Sequence, residues 1–491
     1  MRNNHVLAIL LVFLLSAPIA LYSGLNDPPL LRGGSDFASG RPFDQYYQDP
    51  SLYATDEGMH RMLPAYLPTY HKIMAKLLVT QNDLFVYLLI SILLWVVFIS
   101  GMYAITFRLL NNIPAAVIAA LSCAFGYRAF SGIFWGVQIG QVMPRDWFVA
   151  LTPWLVLLLL RCRKLWHYGV LFFALGVLAN IHFVEVWLLV GFLLLISLLH
   201  DRAVLRAGVS ITAALLGSLP AFFQQEPLGQ NIAVMHERMP YLFSLGFQEA
   251  ALWMLVPVLL AVFGWTILSR VQQRLFRSVF IAAAVVSVGG HLVAQFFPDL
   301  LLLQFSRASR LFYLVLLPVA AAGITHFFLK NNRRKVAALG LMALLMIPIP
   351  LWAPRLTSSA EPSTALPPEE FAQVTAWAQQ TPRDALFLVP PDSFAQWFRP
   401  NAQRSVVVTY KDGANLILTM GGAEWWRDRY AAVRGVYAQN RTSVFLDAAE
   451  EYNADYIIVD RQQHQLDLPI AYQNARFAVY EVHDSESETR A

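Results

Sequence analysis

Runs of about 20 apolar residues recur along the chain, and such a run has one stable place, a bilayer helix that satisfies its own backbone hydrogen bonds. Windows of that kind predict about eleven membrane helices, several of them short enough to tilt or borrow flanking residues. They cover residues 5–23, 84–105, 114–127, 147–160, 165–179, 183–199, 207–223, 247–268, 278–297, 311–329 and 336–352. The composition agrees, at 57% hydrophobic and only 14% charged, where an ordinary soluble domain carries about 25% charge.

Orientation follows from where the basic residues fall. With the N-terminus in the cytoplasm, Arg2, Arg108, Arg161, Arg163, Lys164, Arg202, Arg206, Arg270, Arg274, Arg277, Lys330, Arg333, Arg334 and Lys335 all lie on the cytoplasmic side. The opposite connections keep few, chiefly Arg128, Arg145, Arg238, Arg307 and Arg310. That asymmetry is the positive-inside rule. Arg2, an apolar stretch and Ser16-Ala17-Pro18 give the first helix the look of a secretory signal, read here as an uncleaved anchor.

Two segments are too polar and too long to be mere connections, and both fall on the extracytoplasmic side. They are residues 24–83, rich in Asp, Tyr and Pro, and residues 354–491, whose composition is that of a soluble domain. The expected organisation is an all-α polytopic membrane domain over 1–353 and a C-terminal α/β domain over 354–491. In the latter, helices are expected over 369–380 and 442–452, the second capped by Thr442 or Ser443. Strands are expected over 385–389, 405–409, 456–460 and 477–480.

Other classes fall away on the same reading. A net charge of +4 is spread in short clusters between apolar runs, which argues against a nucleic-acid partner. The two cysteines, Cys123 and Cys162, lie in or beside apolar segments and offer no disulfide framework or zinc site. The chain carries no Walker-type loop, dinucleotide fingerprint or Ser-His-Asp signature.

One short anchor, a large acidic outer loop, many spans and an outer C-terminal α/β domain form a layout that resembles the C-type (GT-C) membrane glycosyltransferases. That superfamily includes oligosaccharyltransferase, protein O-mannosyltransferase and aminoarabinose transferase. In the first loop, Asp44-Gln45-Tyr46-Tyr47-Gln48-Asp49-Pro50-Ser51-Leu52-Tyr53 with Asp56-Glu57 resembles the acidic, aromatic stretch of those enzymes; Tyr456 to Arg461 resembles a strand and turn of their outer domains. The Trp-Trp-Asp triplet of oligosaccharyltransferases is only approximated by Glu424-Trp425-Trp426-Arg427-Asp428, a departure that tells against protein N-glycosylation. The resemblance implies a bacterial inner-membrane enzyme. It would move a sugar from a polyprenyl-phosphate donor to a glycan, lipid or protein acceptor at the outer face.

That chemistry needs a carboxylate to take an acceptor proton or hold a divalent metal, and cations for the departing phosphate. Asp44 is the candidate base or metal ligand, with Asp49 as its partner and Asp56 beside them, since clustered carboxylates raise one another's pKa. Asp36 and then Asp27 are weaker candidates. Arg307 and Arg310 offer forked donors suited to phosphate, against the alternative of reaching lipid headgroups; Arg128 and Arg145 invite the same reading less strongly. His182 and Glu185, at i and i+3 beside two apolar helices, are candidates to orient an acceptor or ligate a metal; the alternative is a hydrogen bond closing a tight turn. Two rival functions stand beside transfer: a transporter or flippase for lipid-linked saccharides, and a non-catalytic membrane protein of the same fold.

Overall fold

The computed structural model describes residues 2–25, 34–65, 67–78, 83–124, 127–128, 134–135, 137, 142–201, 204–224, 231–240, 258–328, 368–417 and 419–482. The expected span over 336–352, the first half of that over 247–268, Asp27 and the 353/354 domain boundary lie outside these residues. The chain divides into two compact units. The membrane unit gathers 1–26, 87–223 and 240–358; the other, called the outer unit after the side expected for it from the sequence, gathers 27–86, 224–239 and 359–491.

Five described helices are long and apolar enough to cross a membrane: Phe85–Leu110, Phe183–His200, Val204–Phe223, Arg270–Phe296 and Phe305–His326. Asn4–Pro18, Ile113–Cys123 and Leu165–Leu178 are shorter apolar helices. The apolar stretch of Phe305–His326 is 100% buried, whereas that of Val204–Phe223 is 33% buried. The former is therefore central in its unit, and the latter turns an apolar face outward. Around the centre, Ala115, Ile118 and Ala119 pack against Leu260, Ala320, Ala321 and Ile324. A π turn at Val285–Gly289 interrupts the Arg270–Phe296 helix, and Tyr127–Arg128 (β1) pairs antiparallel with Phe134–Trp135 (β2). Cys123 and Cys162 are both free.

Small residues allow close helix approach. A Cβ on Gly176 would lie 2.2 Å from the Ala214 carbonyl oxygen, and one on Gly217 would lie 2.4 Å from that of Phe173. Glycine at both places lets the Leu165–Leu178 and Val204–Gln224 backbones touch, where packing and not hydrophobicity holds helices together in lipid. Gly217→Val is therefore expected to cost about 1–3 kcal/mol and to lower the yield of monodisperse protein after detergent extraction.

In the outer unit, strands Leu386–Leu388 (β3), Ser405–Val406 (β4), Tyr456–Asp460 (β5), Ile470–Gln473 (β6) and Phe477–Glu481 (β7) form one sheet in the order β4-β3-β5-β7-β6. β3 is parallel to β4 and β5, and β7 is antiparallel to β5 and β6. Helices Pro368–Ala378 and Ser393–Ala402 cover it through Phe371, Val374, Phe394 and Phe398, which meet Phe387, Val406, Ile458 and Val479. The expected helix over 442–452 is present as Thr442–Tyr452, but its N-cap is Arg441 without a side-chain bond. Thr442 Oγ1 instead accepts from the Asp467 backbone N–H at 3.0 Å. The first outer loop belongs to this unit and is itself helical: Gly34–Gln48, Glu57–Met62 and Pro68–Leu77.

Candidate functional site

The helix Gly34–Gln48 is not strongly apolar, and it is held by polar groups on its buried side. Gln45 Nε2 donates to the Pro400 carbonyl at 3.0 Å, Tyr53 Oη donates to Gln45 Oε1 at 2.5 Å, and Arg41 Nη1 donates to Asn401 Oδ1 at 3.3 Å. Asp44 lies on the same face, 3% exposed. Its Oδ1 is 2.7 Å from Nδ1 of His71, on the packed helix Pro68–Leu77. Phe43 and Tyr70 flank the imidazole at 5.1 Å. A carboxylate that accepts from Nδ1 fixes the tautomer and orientation of the ring, and the ring in turn orients the carboxylate. His71 was not among the sequence candidates. The available signal was its place on the amphipathic face of a helix that has to cover the loop.

The other loop carboxylates are engaged differently. Asp49 caps the Pro50–Tyr53 turn, accepting from Ser51 N at 3.0 Å and Ser51 Oγ at 2.6 Å, and it pairs with Arg383. The Ser51 hydroxyl, with Arg383, holds its carboxyl below the usual range, so Asp49 is an ionised anchor. Asp56 is fully buried. It caps the Glu57–Met62 helix through Met59 N at 2.8 Å, and Arg399 Nε lies 2.8 Å from its Oδ2. Arg399 also donates to both oxygens of Asp412, at 2.7 and 2.9 Å. Burial pushes the Asp56 carboxyl up, opposed by Arg399; the two carboxylates hold the arginine firmly protonated.

The stretch 424–428 is structural. Trp426 is buried, donates from Nε1 to the Thr409 carbonyl at 3.0 Å and stacks on Tyr430. Trp425 lies beside two guanidinium groups, Arg61 at 5.1 Å and Arg429 at 4.6 Å, and Glu57 binds both arginines. Asp428 pairs with its neighbour Arg427 on the surface. In the 231–239 segment, Arg238 lies 3.6 Å over the Tyr410 ring and donates from Nε to the Tyr410 carbonyl at 3.1 Å.

The membrane unit brings the other four candidates together. Glu185, in the first turn of Phe183–Asp201, is buried and ion-paired with Arg310; Arg307 Nη1 is 3.9 Å from its other oxygen. His182 Nδ1 accepts from the Glu185 backbone N–H at 3.2 Å, capping the helix. Burial, and then the positive charge of Arg307, Arg145 and Arg310, pushes the imidazole pKa down to about 3. A neutral ring with its proton on Nε2 is what an accepting Nδ1 requires. Asp146 instead accepts from Met143 N at 2.8 Å. Gln304, at φ 48°, turns the chain so that Arg307 and Arg310 share a side one turn apart.

Among the described residues no three His, Cys, Asp or Glu side chains gather as a metal would need. Asp44 and His71 direct donor atoms at each other, so the described residues do not fit a metal at Asp44.

Comparison with known proteins bears on the whole chain more than on these residues. Residues 369–433, which include Arg399 and Asp412, match a domain of unknown function, DUF6798. No curated protein matches the sequence. Among solved structures, the chain is similar to the oligosaccharyltransferase of Archaeoglobus fulgidus tethered by a disulfide to an acceptor peptide containing the NVT sequon. The TM-score is 0.52 at 12% identity, over 92% of this chain and 69% of that one. The apo form of that enzyme gives 0.49 at 14% identity over the same shares. The likeness to the peptide-tethered structure is one of fold: this chain has a fold like that of a membrane oligosaccharyltransferase.

Proposed function

We propose that the protein is a membrane glycosyltransferase that uses a polyprenyl-phosphate sugar at the outer face of a bacterial inner membrane. The observation that carries the reading is the buried Asp44–His71 pair in the loop after the first helix, in a chain with an oligosaccharyltransferase-like fold. An acceptor hydroxyl oxygen attacks the anomeric carbon of the donor sugar, and the bond from that carbon to the phosphate oxygen breaks. Asp44, oriented by His71, takes the hydroxyl proton. The carrier phosphate leaves with the bonding electrons, a charge that the arginine pair of the membrane unit, Arg307 and Arg310, is chemically suited to neutralise. Glu185 holds Arg310 in place for that role.

Eleven spans, a cytoplasmic N-terminus and an extracytoplasmic C-terminal domain over 354–491 belong to the same proposal. Support for the sidedness comes from Asp56, which lies in the loop and is bound to Arg399 in the tail: two segments packed together in one folded unit lie in one compartment. Reporter fusions at residues 60 and 440 are expected to report the same, outer side.

The reading is tested on Asp44→Asn, which keeps size and hydrogen bonding but removes the base. Loss of transfer by about 10²–10⁴-fold is expected, with the polyprenyl-phosphate sugar accumulating in mass spectra of extracted lipids. An unchanged lipid and glycan profile, in cells that make the variant normally, would remove Asp44 from the reaction. Accumulation of a finished, inward-facing saccharide would favour the flippase instead.

A further inference from the structure

The membrane unit contains a cavity of about 360 Å³ at the C-terminal ends of the helices Pro144–Arg161 and Phe183–Asp201 and the first turn of Val204–Gln224. Its walls are of two kinds. Leu159, Leu160 and Ile196 form an apolar side, while Arg163, Arg206 and His200 form a basic one, with no carboxylate lining it among the described residues. Arg206 is set in place by Tyr168, donating to its hydroxyl at 3.3 Å with the guanidinium 5.2 Å from the ring.

Ser197 is also in the wall. A buried helical serine usually donates back to the carbonyl four residues earlier, as Ser218 does to Ala214 and Ser287 to Ala283, each at 2.6 Å. Ser197 is 2% exposed, yet its Oγ has no partner, and neither has Nδ1 of His200. Ser210 and Ser309 are buried without a partner too, so the basic lining, and not the serine, marks the cavity as a site. Two helix C-termini disfavour an anion there and one helix N-terminus favours it; the arginines supply the full charges. Beside the cavity, Leu158, Leu199, Val204 and Leu205 are exposed, an apolar surface suited to hydrocarbon.

We propose that this cavity binds the phosphate headgroup of a membrane lipid, its phosphate oxygens on Arg163 and Arg206 and its chains along the apolar wall and rim. Basic pockets between helices at the arginine-rich side recognise such headgroups, and the orientation proposed above puts this one in the cytoplasmic leaflet. The site is independent of the transfer reaction and stands or falls without it.

The test is native mass spectrometry of the full chain released from detergent, offered phosphatidylglycerol, diacylglycerol with the same chains, or inorganic phosphate. Phosphatidylglycerol is expected to be retained and diacylglycerol not. Arg163→Gln, whose wild-type side chain is exposed, and the double variant with Arg206→Gln are expected to weaken retention about tenfold or more, with unchanged elution. Equal retention of both lipids, or retention by the double variant as strong as by the wild type, would overturn the site. Displacement of the lipid by equimolar phosphate would overturn the lipid assignment in favour of a soluble phosphate.

Discussion

Arg399→Gln is expected to destabilise the outer unit by about 3–5 kcal/mol, the cost of leaving a buried charge without its partner. Asp56 and Asp412 are both buried and share this one guanidinium. Glutamine keeps some hydrogen bonding but none of the charge, so two carboxylates would face each other in a site closed to water. The thermal transition of the full chain in detergent should fall by more than about 5 °C. Adding Asp56→Asn and Asp412→Asn should recover part of the loss, because neutral amides tolerate the same burial better. A single variant that melts with the wild type would show that the triad is not the clasp described here.

Glu185→Gln is the second large effect, and it separates two roles of the membrane unit's charge cluster. Arg310 is buried against Glu185, whereas Arg307 is partly exposed and 3.9 Å from it. Removing Glu185 strands Arg310, again at about 3–5 kcal/mol, and should show as loss of extractable protein. Arg307→Gln should leave the yield unchanged and, in the proposed reaction, slow transfer by about 10²-fold. If Glu185→Gln is lost from extracts while Arg307→Gln transfers normally, the cluster is a packing device alone; if both variants are made normally and transfer normally, it is neither.

The sequence was most legible where one physical term dominates. Hydropathy alone places the helices found at Asp83–Leu110, Leu165–Leu178 and Phe183–Asp201 within a few residues. Buried strands with apolar runs were equally plain, as at Tyr456–Asp460. β6 at Ile470–Gln473 was missed because it is an edge strand with half-exposed residues and no alternation. Nothing local marks Gly34–Gln48 as a helix, because Pro42 and its polar face oppose helix formation. What orders it lies elsewhere, in Pro400, Asn401 and His71, and no local pattern announces partners so distant. The candidate site divides in the same way. Its carboxylates were visible as a cluster, but which of them faces a histidine and which an arginine is a property of the folded unit.

The clasp between Asp56 and Arg399 spans 343 residues of chain, and this sets an order of events during biosynthesis. At ribosomal speeds of about 5–20 residues per second, Asp56 waits tens of seconds for its partner. Until then the segment around Asp56 stands with its acidic groups hydrated and its helices unsupported. A nascent chain cut short before Arg399 would carry an incurable, protease-accessible stretch near its start, so damage at the end of the gene should be registered as cleavage near the beginning of the product.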